Sequence, residues 1–268
     1  MKKILLYSGG MDSWLINKLW KPDYRLYISN GSKYTSAEES WMLYHSKTEE
    51  QPIHKVVFPL SNYERDDKII PLRNLYFIMV ACNEYPNDNL EIMLGATNGD
   101  RVLDKSPEFA QKTSELLTYL YSPQWWIPKG RKIKICLDYK DKTKQEILQE
   151  YLDNGGDIED AFLKSFSCYS PIQTEYGKIW QKRQSQITEG MYPMRAPCFR
   201  PCWFCKPCFR KFVAFEACGY KFGSNVLNKV IPYISKEIMP QINNGTYGRG
   251  VAEENAIRNI VEKYREYV

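Results

Sequence analysis

No stretch of about 20 consecutive apolar residues occurs in this chain, so no membrane-spanning helix is expected. Internal repeats and low-complexity tracts are also missing. Met1-Lys2-Lys3 passes at once into Ile4-Leu5-Leu6-Tyr7, which does not read as a signal peptide, and a cytoplasmic protein is expected. A strong excess of one charge is lacking as well. The 37 Lys and Arg residues exceed the 32 Asp and Glu residues only enough for a net charge of +5. That balance suits anionic ligands, and direct nucleic-acid binding is not expected from it. What the chain does have is length, aromatics and cysteine. Its 268 residues suffice for one large domain, or one domain with a subdomain. Twenty tyrosines within a 14% aromatic content fit a flat aromatic substrate as readily as a packed core. Eight cysteines in an expected cytosolic chain argue for metal or catalysis over disulfides.

Residues 8–13 read Ser-Gly-Gly-Met-Asp-Ser, between an apolar run and a helical-looking stretch. A strand, a Gly-Gly turn and a helix start in that order build a phosphate cradle. The glycines let the backbone approach an anion, and the N–H groups of the helix start point at it. Ser8 and Ser13 add hydroxyl donors, and Asp12 is placed to hold a magnesium ion or to orient the helix start. No Gly-Lys-Ser/Thr follows the glycines, so this is not the loop of kinases and GTPases. It resembles the pyrophosphate loop of enzymes that split ATP into AMP and pyrophosphate. A chance Gly-Gly turn is the competing reading.

The cysteines are unevenly spread. Cys198, Cys202, Cys205 and Cys208 crowd one short segment, and Cys168 lies upstream. Cys82, Cys136 and Cys218 lie in apolar surroundings and read as small core residues. The two-residue gaps of Cys202-Trp-Phe-Cys205-Lys-Pro-Cys208 let thiolates converge on one tetrahedral ion. Arg200, Lys206, Arg210 and Lys211 would offset the charge. Spacing leaves the fourth ligand open between Cys198 and Cys168.

Apolar segments at 3–7, 25–29, 55–59, 91–96 and 133–137 alternate with helix candidates near 12–20, 36–50, 72–85, 108–121 and 143–153. That alternation predicts an α/β fold, a parallel sheet with helices on both faces. The expected division is an ATP-binding domain over 1–160 and a zinc-binding, helical region over 161–268, with an insertion at about 170–197. Ligands on such sheets sit outside the carboxyl ends of the strands, so Gly95-Ala-Thr-Asn-Gly-Asp100 is expected to face the same crevice as residues 8–13. Helices are also expected over 209–218 and 252–267.

Together these residues resemble the 7-cyano-7-deazaguanine synthases, members of the pyrophosphate-loop superfamily with an adenine-nucleotide hydrolase-like fold. The supporting segments are the loop at 8–13, Pro71-Leu-Arg73-Asn74-Leu-Tyr-Phe77, and Gly95-Ala96 with Asp100 and Pro107-Glu108-Phe109. Cys168-Tyr169 with Cys202, Cys205 and Cys208, followed by Arg210 and Ala214-Phe215, completes the set, and Lys144-Gln-Glu146-Ile is also similar. The resemblance implies a ligase that joins 7-carboxy-7-deazaguanine and ammonia through adenylated intermediates to give the nitrile. It implies ATP with Mg2+ at Ser8, Gly9, Gly10, Met11, Asp12 and Ser13, and catalytic roles for Asp12, Arg73 and Lys144. It implies acceptor contacts at Gly95, Asp100, Glu108 and Phe109, and structural Zn2+ on Cys168, Cys202, Cys205 and Cys208, with a homodimer as the assembly. For Arg73 the competing reading is a salt-bridged helix cap, for Lys144 a solvated helix face and for Asp100 a helix N-cap.

Departures from the family gather on the acceptor side. Arg101-Val-Leu-Asp104-Lys105-Ser106 stands where the family has a longer Gly-Tyr-Pro-Asp-Cys-Arg stretch. Cys168 and Cys202 have 33 residues between them, far more than the family's spacing, and a long segment follows Gly219. Divergent members serving DNA modification or antiviral defence would drift in this way. Two other readings remain. One is an amide- or conjugate-forming relative, or a pyrophosphate-loop tRNA-modifying enzyme with an RNA-facing patch at Lys178, Trp180, Lys182, Arg183 and Arg195. The other is a non-catalytic nucleotide sensor, against which the complete loop argues.

Overall fold

The computed structural model describes residues 1–48, 52–67, 69–100, 102–184 and 196–268. The chain divides into two compact units, Met1–Asp141 and Lys142–Val268. Arg101 and the whole segment between Gln184 and Ala196, Arg195 included, lie outside the described residues.

In the first unit the order is β1 (Lys2–Leu6), α1 (Met11–Trp20), β2 (Tyr24–Ser29), α2 (Thr35–Thr48), β3 (Ile53–Val57), α3 (Arg73–Glu84), β4 (Leu90–Met93), α4 (Pro107–Leu120) and β5 (Ile133–Cys136). The strands form one parallel sheet in the order β3-β2-β1-β4-β5. The chain steps one way from β1 to β3, then jumps back to β4. Right-handed crossovers therefore put α1 and α2 on one face and α3 and α4 on the other. The strands are short and apolar because both faces are covered. Ile4, Leu26, Ile78, Ala81, Leu90, Ile92, Ile133 and Ile135 form the core, with Cys82 among them. Cys136 is buried as well, whereas Cys218, expected in a core, is only partly covered at the end of a helix.

β3 begins two residues before the expected 55–59. Its register against β2, from Arg25 opposite Ile53 to Ser29 opposite Val57, decides the boundary instead of its own apolar run. β5 is an edge strand, and α4 covers that edge. Thr118 Oγ1 accepts from Ile133 N and donates to Ile133 O, both at 3.1 Å, and Ser114 Oγ accepts from Ile135 N at 2.8 Å. Two hydroxyls one helical turn apart thus stand in for a missing neighbour strand.

The second unit holds α5 (Lys144–Asp153), α6 (Ile158–Lys164), β6 (Ile172–Gln173), α7 (Glu175–Gln184), β7 (Phe199–Arg200), α8 (Lys206–Ala217), α9 (Ser224–Tyr233), α10 (Met239–Asn243) and α11 (Val251–Lys263). α5 starts from a complete capping box between Thr143 and Glu146. β6 and β7 pair antiparallel, so the expected insertion at about 170–197 carries α7 and is bounded by two paired strands. α9 and α10 went unread in the sequence because Pro232 and Pro240 break the pattern. Pro232 ends the regular α-helical turns, and a wider π turn over Ile234–Ile238 carries the chain into α10. Among the described residues no helix is long and apolar enough to cross a membrane.

Candidate active site and metal centre

The sheet's order reverses between β1 and β4, and a parallel sheet binds its ligands at such a switch point. The loop of residues 7–10 stands at the carboxyl end of β1. Ser8 N donates to Ser13 Oγ at 3.2 Å, the two serine hydroxyls lie 3.2 Å apart, and Ser13 Oγ donates to Gly10 O at 3.2 Å. Gly10 N donates to Ser8 Oγ at 3.4 Å. These contacts fold the turn onto the first turn of α1, which carries Asp12. Gly9 has φ +70°, and a Cβ there would stand 3.5 Å from both Met42 Sδ and His45 Nδ1. Glycine thus supplies the left-handed turn while α2 closes the cradle from behind. The buried His45 is held by Tyr7, whose hydroxyl is 3.0 Å from its Nδ1.

Beyond β4, Gly95 borders open space: a Cβ built on it meets nothing within 4 Å. Asp100 folds back on this turn, accepting from Thr97 N at 3.2 Å and pairing with Lys105 Nζ at 3.0 Å. Lys105 also donates to Gly95 O at 3.3 Å, and Lys140 to Asp100 O at 3.4 Å. The cap of α4 is Ser106, not Asp100. Thr97 Oγ1 is buried with no hydrogen-bond partner among the described residues. Asp104 accepts from Asn74 N at 3.2 Å, so the segment replacing the family's stretch caps the helix that begins at Arg73.

Arg73 itself faces Glu38, whose carboxyl is pushed up to about 7, chiefly by burial; the Arg73 charge and a hydrogen bond from Tyr27 work against that rise. The Tyr27 hydroxyl donates to Glu38 Oε2 at 3.3 Å. Next to it, Glu39 accepts from Ser29 Oγ at 2.7 Å and pairs with Lys55 at 2.8 Å. Sequence reading missed Glu38, because residues 30–39 form a polar run in which two adjacent carboxylates look like a solvated helix start. Glu108 and Phe109 are placed differently from the turn at Gly95. Glu108 is exposed and pairs with Lys112 at 2.6 Å, while Phe109 packs on the core. Lys144 opens α5 in the second unit.

Within the second unit the sulfurs of Cys168, Cys202, Cys205 and Cys208 all lie within 4.8 Å of one another. A tetrahedral ion at zinc–sulfur bond lengths needs sulfurs about 3.8 Å apart, and the Cys202 and Cys208 sulfurs are 3.9 Å apart. The donor set fits zinc. Trp203, in a left-handed conformation at φ +67°, lets the chain curl so that Phe204 N donates to Cys202 Sγ at 3.4 Å. Cys202 N donates to Cys168 Sγ at 3.3 Å and Tyr169 N to Cys205 Sγ at 3.5 Å. Backbone donors aimed at sulfur favour thiolates. Of the two candidates for the fourth position, Cys168 is in the group. Cys198 lies outside it, its carbonyl taken by Thr174 N at 2.9 Å.

Lys211 underlies this group. Fully buried on α8, its ammonium donates to Phe162 O at 2.7 Å and Ser165 O at 2.6 Å, closing the end of α6 just before Cys168. Phe162 stacks on Tyr220 at 4.3 Å and on Trp203 at 5.9 Å, so the cysteine turn rests on an aromatic bed.

No family model matches the chain. A curated 7-cyano-7-deazaguanine synthase of Chromohalobacter salexigens is 21% identical over 212 residues, which span 68% of this chain and 79% of that protein. With a parallel sheet carrying a serine-glycine loop at its switch point and a four-cysteine group that could hold zinc, the chain is a distant relative of that synthase.

Proposed function

We propose that this protein is an ATP-dependent ligase that activates the carboxylate of a 7-carboxy-7-deazaguanine by adenylation and converts it with ammonia, through the amide, to the nitrile. The folded Ser8–Ser13 loop at the switch point carries the reading, and the distant synthase relative supports the acceptor class.

Each half of the reaction replaces a poor leaving group, oxide or hydroxide, by AMP. Little covalent chemistry is left to the protein, which must orient the reactants and stabilise charge. The N–H groups of the loop and of the α1 start, with the Ser8 and Ser13 hydroxyls, would hold the β- and γ-phosphates as the departing pyrophosphate. Asp12 would hold the magnesium ion, which supplies charge neutralisation on the phosphates. Arg73, at the first position of α3, would meet the growing negative charge on the α-phosphate or the acceptor carboxylate. The acceptor ring would lie by the Gly95 turn, where the backbone borders open space. The zinc ion would be structural, because four thiolates leave no open position on it.

Incubation with ATP, Mg2+, ammonium and 7-carboxy-7-deazaguanine tests this reading. Acceptor-dependent AMP and pyrophosphate are expected, with the amide and then the nitrile by mass spectrometry. ADP as the main nucleotide product would refute adenylation. Amide alone would keep the adenylation and remove the second half.

A further inference from the structure

Between ammonia and nitrile, three N–H bonds must be broken, and neither the phosphate loop nor Arg73 can accept those protons. The structure offers an acceptor over the loop. β1 and β2 run parallel, so α2 departs from the same edge of the sheet that carries residues 8–13 and then runs back down. Met42 and His45, which back the loop at Gly9, lie on one stripe of α2, and Glu38 is one turn before Met42 on that stripe. One turn is about 5.4 Å, which sets Glu38 outward of the Gly9 turn along α2, and it is there that the activated carboxyl would have to sit. The Arg73 charge reaches Glu38 from the start of α3.

We propose that Glu38 is the base that takes a nitrogen-borne proton in each AMP-releasing step. This rests on the adenylating function proposed for the loop. In the first step the ammonia lone pair forms the C–N bond at the acyl carbon and the C–O bond to AMP breaks, its electron pair leaving on the phosphate oxygen. One N–H proton passes to the Glu38 carboxylate, giving amide, AMP and a protonated Glu38, which gives that proton to solvent before the second step. In the second, the amide oxygen has displaced pyrophosphate from another ATP, and the nitrogen has released one proton to solvent. The remaining N–H proton passes to Glu38 as the C–O bond to AMP breaks and the carbon–nitrogen triple bond forms.

The surroundings suit the task. Among the described residues, the charged and titratable groups acting on Glu38 are Tyr27 from β2, Arg73 from α3 and the adjoining Glu39, itself paired with Lys55 from β3. Burial outweighs Arg73 and Tyr27 and lifts the carboxyl to about 7, which makes Glu38 a stronger base than an exposed carboxylate while leaving about half of it ionised at pH 7.

The test separates adenylation from the proton transfers that accompany AMP release. The parent protein is assayed for acceptor-dependent exchange of labelled pyrophosphate into ATP, and for amide and nitrile formation with ammonium. Glu38→Gln, which keeps the shape and the Tyr27 contact, is expected to form product roughly 100-fold more slowly while its exchange falls far less. In single turnover from the preformed adenylate at fixed free ammonia, the parent rate should rise with pH about a midpoint near 7, and the Glu38→Gln rate should be flat. Tyr27→Phe removes a hydrogen bond that holds the carboxyl down and should move the midpoint upward, a change that mere loss of folded protein cannot produce. Product formation by Glu38→Gln at the parental rate, or loss of exchange and product together, would overturn the assignment. No exchange by the parent would overturn the adenylating function and this assignment with it.

Discussion

A carboxyl lifted by burial leaves a signature in stability as well as in rate. Glu38 binds its proton more tightly in the folded chain than in the unfolded one, so the folded state gains relative stability wherever only it is protonated. That contribution is present below the ordinary carboxylate range and is lost as pH rises toward 7. Glu38→Gln should therefore melt at a higher temperature than the parent at pH 8 and at the same temperature at pH 5, as calorimetry at both values would show. Lys211 makes the opposite case: burial pushes its amine down to about 7, and what the fold uses is its hydrogen bonds, not its charge. Lys211→Met leaves the Phe162 and Ser165 carbonyls without their donor, and a loss of about 1–3 kcal/mol is expected in denaturant unfolding. At this scale the sequence was readable where the chemistry is contiguous. The six residues at 8–13 and the closely spaced cysteines stand out as candidate sites, because each motif's members meet through local turns. Glu38, and the pairing of Asp100 with Lys105, depend on helix direction and on a turn folding back, and no spacing rule encodes either.

Among elements, the strands and long helices were legible from apolar alternation, since a parallel sheet buries its strands on both faces and a covering helix buries one. The edge of β5 was not. Its outer backbone groups are met by side chains from α4, 15 to 21 residues away in sequence, and Ser and Thr within a helix carry no sign of that duty. Ser114→Ala combined with Thr118→Val should expose two edge N–H groups. A loss of about 2–3 kcal/mol is expected from two unmet donors, together with concentration-dependent association seen by light scattering, because an open edge templates pairing. The helices from Ser224 to Asn243 were hidden for the opposite reason: their two prolines are signals to stop, overridden by a π turn and the packing of Ile234 and Ile238.

For the whole molecule, the two units make separate demands on an assay. Removing the proposed ion should act first on the second unit, whose cysteine turn, Lys211 and aromatic bed share one small core. Cys202→Ser is expected to lower zinc content to near zero by elemental analysis and to reduce soluble yield. The pyrophosphate exchange of whatever protein remains folded should fall less. Iron with labile sulfide in the purified parent would contradict a structural zinc site.

Cys168 and Cys202 meet in space although they stand far apart along the chain. With an ion bound, the four sulfurs would act as a crosslink closing a loop of 33 intervening residues, alongside the pairing of β6 with β7 inside it. Lengthening such a loop costs only about 0.6 kcal/mol per doubling, so residues inserted between Gln184 and Ala196 should leave the cysteine group in place. A protease site grafted between Gln184 and Ala196 turns this into a measurement. After cleavage the two fragments should travel together on a sizing column, and a strong chelator should weaken their hold on one another. Fragments that part while the ion is still bound would show that the crosslink does not span the cut.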